Sequence, residues 1–219
     1  MIKGVLFDLD GTLADTAPDL AHALNVLLEQ YGNAPLPLDQ LRPRASQGAR
    51  GLIEEGFKIS INDPFFEELK EQFYTLYQNN LCSQTRLFIG VPELLDYLDL
   101  HHIPWGIVTN KFKRFTDPLV SLLGLTHRSG CIVSGDSYAR AKPFPDPLLG
   151  ASEELQLIPE ELVYVGDDER DMIAAQAAGM AGIIARYGYL GSDKAPELWP
   201  HQAIIEHPEE LIRFIHYLQ

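Results

Sequence analysis

The chain has 219 residues, 46% hydrophobic and 22% charged, close to globular averages, which excludes a disordered or fibrous polymer. Seventeen basic against 31 acidic side chains leave a formal charge of −14. That excess argues against nonspecific binding to nucleic acid or an anionic membrane, and leaves small anionic substrates open, since a local pocket or a bound cation can reverse the field.

The chain opens on Gly4-Val5-Leu6-Phe7, an unbroken apolar run that reads as a strand buried on both faces. No leader is expected before it, and no apolar run approaches the ~20 residues of a membrane helix, so the expected compartment is the cytoplasm. From about 16 to 82 the pattern is helical. Thr16 with Asp19 resembles a capping box, and Leu20, Leu24, Leu27, Leu28 and Tyr31 follow at helical spacing. Phe66, Leu69, Phe73, Leu76 and Tyr77 form a second stripe, and both stripes are read as core packing. No strand is expected before Trp105-Gly106-Ile107-Val108. Three more runs follow: Cys131-Ile132-Val133, Leu162-Val163-Tyr164-Val165 and Gly182-Ile183-Ile184-Ala185. Helices are expected between them around 112–123, 147–155 and 171–178, and a last one over 208–218. Pro35-Leu36-Pro37, Pro143-Phe144-Pro145 and Asp193-Lys194-Ala195-Pro196 read as loops. Alternating strands and helices predict an α/β fold, a doubly wound parallel sheet with a helical insertion after the first strand. Cys82 and Cys131 are too few for a disulfide scaffold or a zinc ribbon and read as reduced packing residues.

Parallel α/β sheets bind ligands at the carboxyl ends of their strands. The first run ends in Asp8-Leu9-Asp10-Gly11-Thr12, the second in Thr109-Asn110, and the fourth in Gly166-Asp167-Asp168 with Asp171 one turn on. Lys142 follows the third. Residues two apart on an extended chain point the same way, so Asp8 and Asp10 lie near one point, and Gly11 permits the turn that follows. With Asp167, Asp168 and Asp171, three to five carboxylates converge. Their repulsion calls for a cation, and all-oxygen ligands point to Mg2+ rather than zinc. Carboxylates, Mg2+, a lysine and hydroxyl or amide donors make a set suited to phosphoryl transfer.

Those four motifs, in that order, resemble the motifs of the haloacid dehalogenase superfamily, and the resemblance covers the whole chain. It implies that residues 1–15 and 83–219 form the catalytic core and 16–82 a small cap. It implies Asp8 as nucleophile and metal ligand, and Asp10 as acid/base, ligating Mg2+ through its main-chain carbonyl. Thr109 and the Asn110 amide would hold the phosphoryl group, Lys142 would offset charge, and Asp167 would be the third ligand. Asp171 would orient Lys142 or a metal-bound water. Asp168 would reach the metal through water or cap the next helix.

The cap resembles that of the phosphoglycolate phosphatase-like branch, which places substrate choice in 16–82. Ser46-Gln47-Gly48 opening a helix would aim N–H groups at an anion, and Arg50 would clamp a carboxylate. Tyr187, after the fifth strand, is a further candidate contact. The stretches 46–50 and 186–189 resemble bacterial N-acetylmuramic acid 6-phosphate phosphatases, a family neighbouring the phosphoglycolate phosphatases. The expected activity is hydrolysis of a small-molecule phosphate ester, by a monomer or homodimer. A phosphosugar mutase shares the motifs but must protect its phosphoenzyme from water. A phospho-aspartate receiver module is about half this length and carries its aspartate on a later strand. A dehalogenase leaves Asp10 without a purpose.

Overall fold

A computed structural model describes residues 2–191 and 194–217. Among them, six strands form one parallel sheet: β1 (Gly4–Phe7), β4 (Trp105–Val108), β5 (Ile132–Val133), β6 (Leu162–Gly166), β7 (Ala181–Ala185) and β8 (Ala203–Ile205). They lie in the order β5-β4-β1-β6-β7-β8, every neighbouring pair parallel. The five expected strands are all present. β8 is added at the edge, and three residues are too short a run to stand out in the sequence.

Both faces of the sheet are covered, which is why its strands read as unbroken apolar runs. On β1, Val5 and Phe7 join a core with α5 (Val91–Leu100), α6 (Lys113–Leu122) and α9 (Glu210–Tyr217). Leu6 turns to the other face, against α7 (Asp146–Leu155) and α8 (Glu169–Ala178). α5 was not expected, although Val91, Leu94, Leu95 and Leu98 are buried at helical spacing. Leu218 and Asp193, each part of an expected element, lie outside the described residues.

The insertion holds α1 (Ala17–Gln30), α2 (Leu38–Ala45), α3 (Gly48–Phe57) and α4 (Phe66–Asn79). Leu20, Leu24, Leu27 and Leu28 of α1 pack against Phe66, Leu69 and Phe73 of α4 in a core of their own. Burying each such side chain stabilises by ~1.5–3 kcal/mol. Tyr31 departs from the expected stripe: it is the C-cap residue of α1 and is exposed. A short antiparallel pair, β2 (Ala14–Asp15) with β3 (Arg86–Leu87), closes the base of the insertion, so strand structure does occur before Trp105. The expected capping box at Thr16 is absent. Thr16 Oγ1 donates to Asp10 instead, and the buried Asp19 carboxylate accepts from Thr85 N at 2.9 Å and Thr85 Oγ1 at 2.7 Å. Asp19 thereby ties α1 to the strand that returns to the sheet, a stronger use of a buried carboxylate than a local cap.

Candidate active site

β1 is the switch point: the chain leaves it toward β4 and β5 on one side and later returns to β6 on the other. Ligand sites of open parallel sheets lie at such a point. The residues just past β1, β4 and β6 are Asp8, Thr109 and Asp167, all buried. Asp8 N donates to Val165 O and Thr109 N to Val133 O, both at 2.9 Å, so strand pairing continues up to the functional side chains.

Carboxylate oxygens of Asp8, Asp167 and Asp171 lie within 4.8 Å of one another. Burial and the facing carboxylates push Asp8 from 3.8 up to about 7, although Lys142 opposes the rise. Burial, then Asp8 and Asp171, raise Asp167 well above the carboxylate range. A buried all-carboxylate set in which Asp8 and Asp167 resist ionisation is a donor set that a hard divalent cation satisfies. The all-oxygen donors of these residues fit Mg2+. The backbone makes room for the cluster: Gly11 has φ +87°, and a Cβ there would run into the Asp167 carboxylate.

Lys142 is the counter-charge. Its Nζ is 2.8 Å from Asp8 Oδ1 and 2.7 Å from Asp171 Oδ1, and it donates to Val108 O and to the Tyr164 hydroxyl. Burial disfavours its charge, but Asp171 and Asp8 outweigh that and raise its pKa overall. Tyr164 came from an apolar strand run and was not a sequence candidate. Its hydroxyl lies 2.8 Å from Val108 O and 3.2 Å from Asp171 Oδ1, completing the network. Asn110 binds the two motif loops together: Lys142 N donates to its Oδ1 at 3.0 Å, and its Nδ2 donates to Lys142 O at 2.9 Å.

Asp10 stands apart from the three-carboxylate cluster. Lys111 Nζ holds Asp10 Oδ1 at 2.9 Å and Oδ2 at 3.0 Å, with Thr16 as a further donor. Lys111, also missed from sequence, is only 7% exposed. Burial disfavours its ammonium, but Asp10 and then Tyr77 raise its pKa. Asp168 caps α8: its Oδ1 accepts from Arg170 N at 2.9 Å, and it pairs with the Arg170 guanidinium at 2.7 Å. Burial raises the Asp168 pKa, and Arg170 more than reverses this, holding it below the usual range.

The insertion closes over this site. A cavity of about 370 Å³ is lined by Asp8, Asp10, Thr109, Asn110 and Lys142 below, and by insertion residues that include Ser46, Gly48 and Arg50 above. Ser46 Oγ donates to Asp167 Oδ2 at 3.3 Å, and Arg170 Nη2 donates to Ser46 O at 2.6 Å. α3 starts at Gly48 as expected. Arg50 reaches the cavity with a side chain 62% exposed and paired to Glu54 on its own helix. Tyr187 sits at the same end of the sheet. It does not line the cavity; its hydroxyl donates to Thr12 O at 3.2 Å and its ring packs on Phe88. The segment 186–189 buttresses Asp167 instead: Tyr189 N donates to Asp167 Oδ2 at 2.8 Å.

A carboxylate cluster with a buried lysine, at the switch point of a parallel sheet and roofed by a helical insertion, defines a phosphoryl-transfer enzyme. The family model "Haloacid dehalogenase-like hydrolase" matches residues 5–185, and the chain belongs to that family. It is a phosphatase, a phosphoric monoester hydrolase. It is 37% identical over 211 residues, 96% of this chain and 93% of the relative, to an N-acetylmuramic acid 6-phosphate phosphatase from Pseudomonas aeruginosa. It is 39% identical over 209 residues, 95% and 94% of the two chains, to a phosphoglycolate phosphatase from Xanthomonas campestris pv. campestris. A crystal structure described as a predicted phosphoglycolate phosphatase from Haemophilus somnus superposes with a TM-score of 0.85, at 27% identity and 97% coverage of each chain.

Proposed function

We propose that this phosphatase hydrolyses N-acetylmuramic acid 6-phosphate, using Mg2+ and an aspartyl-phosphate on Asp8, in cytoplasmic cell-wall recycling. The observation that carries the reading is the cavity. Its volume of about 370 Å³ falls in the range of small-molecule sites, and its walls include Phe66, Phe73, Tyr74, Tyr77, Phe112 and Phe115. Aromatic walls suit the apolar face of a sugar ring and its acetyl group. A two-carbon ester would leave most of that space empty.

Residues 16–82 act as the cap, excluding water and reading the leaving group. Mg2+, held by Asp8, Asp167 and the Asp10 carbonyl, would supply neutralising charge to the phosphoryl oxygens. Asp8 attacks phosphorus, and the bond to the sugar oxygen breaks as Asp10 gives that oxygen a proton. Asp10 then takes a proton from water, which attacks phosphorus and frees the Asp8 carboxylate. The Thr109 hydroxyl and Asn110 amide hold the phosphoryl oxygens. Lys142 offsets their charge and that of Asp8, and Asp171 keeps Lys142 in place. Asp168 serves through Arg170, which pins the Ser46 loop. Ser46 and Gly48 line the roof over the leaving group.

The second reading, hydrolysis of 2-phosphoglycolate, is favoured by the Xanthomonas relative. The test is phosphate release with Mg2+ from N-acetylmuramic acid 6-phosphate, N-acetylglucosamine 6-phosphate, 2-phosphoglycolate and glucose 6-phosphate, with Asp8→Asn protein as blank. A kcat/KM at least about tenfold higher on the muramic ester, roughly 1.4 kcal/mol, supports the proposal. Preference for phosphoglycolate replaces the substrate and leaves the chemistry standing.

A further inference from the structure

The cavity has a polar corner that the phosphoryl chemistry leaves unused. Tyr77, on α4, lines the cavity; the residue is 2% exposed, and its buried hydroxyl has no hydrogen-bond partner among the described residues. A buried hydroxyl without a partner is destabilising, and a ligand that accepts its proton would remove that cost. Burial also lifts this phenol to about 12, which keeps it a proton donor at neutral pH. Lys111 Nζ lies 4.9 Å from the centroid of the same ring. An ammonium has three N–H donors. Asp10 accepts from Lys111 Nζ at 2.9 and 3.0 Å, and the remaining interaction of that ammonium is with the Tyr77 side chain, so Lys111 and Tyr77 form one polar pair on the cavity wall.

We propose that Lys111 Nζ and the Tyr77 hydroxyl form a subsite for a carboxylate carried by the leaving group, so that the enzyme selects acidic phosphate esters over neutral ones. Position supports this. Lys111 is bound to Asp10, the residue assigned to the leaving oxygen, and so sits on the leaving-group side of the phosphorus. Lys142, bound to Asp8, sits on the nucleophile side. Burial supports it as well. Lys111 is 7% exposed, so its charge acts through little water, whereas Arg50 is 62% exposed and already paired with Glu54. The inference rests on the phosphatase reading and on Asp10 serving the leaving group. It does not depend on which acid is esterified.

The experiment measures kcat/KM within two matched pairs: N-acetylmuramic acid 6-phosphate against N-acetylglucosamine 6-phosphate, and 2-phosphoglycolate against ethyl phosphate. Wild type, Tyr77→Phe, Lys111→Met, Lys111→Arg and Arg50→Ala are compared. Tyr77→Phe removes only the unpaired oxygen, so its Tm should match or exceed that of wild type. Its acid-to-neutral ratio in the preferred pair should fall about tenfold, the effect of one hydrogen bond to a charged group. Lys111→Met should bring the ratio near unity, Lys111→Arg should restore part of it, and Arg50→Ala should keep it. If Lys111→Met and Tyr77→Phe slow both members of a pair equally, Lys111 only positions Asp10 and the subsite is overturned. A collapse of the ratio in Arg50→Ala alone overturns it too, as does a wild-type enzyme with no preference in either pair. Which pair is preferred decides the substrate reading separately.

Discussion

Replacing Asp8 by Asn should stabilise the metal-free protein, and by an amount that depends on pH. Asp8 has a folded-state pKa of about 7 against an ordinary value of 3.8. Between those values the folded protein binds a proton that the unfolded chain has released. Stability therefore falls as pH rises through that window, and the loss is complete above it. At 1.36 kcal/mol per pH unit the full penalty is about 4 kcal/mol, a ceiling because the buried cluster can relax and admit water. Asn carries no charge at any pH and escapes the penalty. The variant's advantage should therefore be about 1 kcal/mol at pH 4.5 and up to about 4 kcal/mol at pH 8. For a chain of this size 1 kcal/mol moves Tm by roughly 2–4 °C. Thermal melts of both proteins in EDTA, from pH 4.5 to 8, read this directly, and added Mg2+ should reduce the difference by stabilising wild type. An Asn variant less stable than wild type at pH 8, or a difference flat with pH, would refute the reasoning. It would mean that Lys142 already satisfies Asp8 and that the cluster has no need of a cation.

Lys142→Met should destabilise the metal-free protein by roughly 3–5 kcal/mol at pH 8 in urea titrations, because Asp8 and Asp171 lose their shared cation; the cost should shrink toward pH 5 as Asp8 protonates. EDTA should abolish turnover and Mg2+ restore it, with about 2.7 kcal/mol of added stability when Mg2+ is at a hundredfold its Kd. Leu24→Ala, fully buried in the insertion core against Gly56, should cost about 2–5 kcal/mol by thermal melt; a cost below about 1 kcal/mol would mean that the insertion repacks freely.

The strands of the sheet were legible because both their faces are buried, which makes each a short solid apolar run. The motif residues were legible because they follow those runs at once. What escaped was set by contacts between distant parts of the chain. Lys111 follows Thr109-Asn110 and reads as a solvated charge, until Asp10, 101 residues away, is seen to hold it. Tyr164 reads as one more strand apolar, since nothing local reveals that its hydroxyl meets Lys142. The bond from Tyr189 N to Asp167, 22 residues away, is equally invisible in the local sequence. The box read at Thr16 and Asp19 failed for the same reason: Asp10 and Thr85 are better partners than the helix's own first turn.

The central claim is that Asp8 carries the phosphoryl group of an acidic sugar ester. The most direct measurement is to quench turnover of N-acetylmuramic acid 6-phosphate with borohydride, which reduces an aspartyl-phosphate to homoserine, and to map the product by peptide mass spectrometry. The account predicts homoserine at position 8, formed only with Mg2+ and substrate present. Homoserine at another aspartate, or unmodified Asp8 in enzyme trapped during rapid turnover with a slow second step, would contradict it.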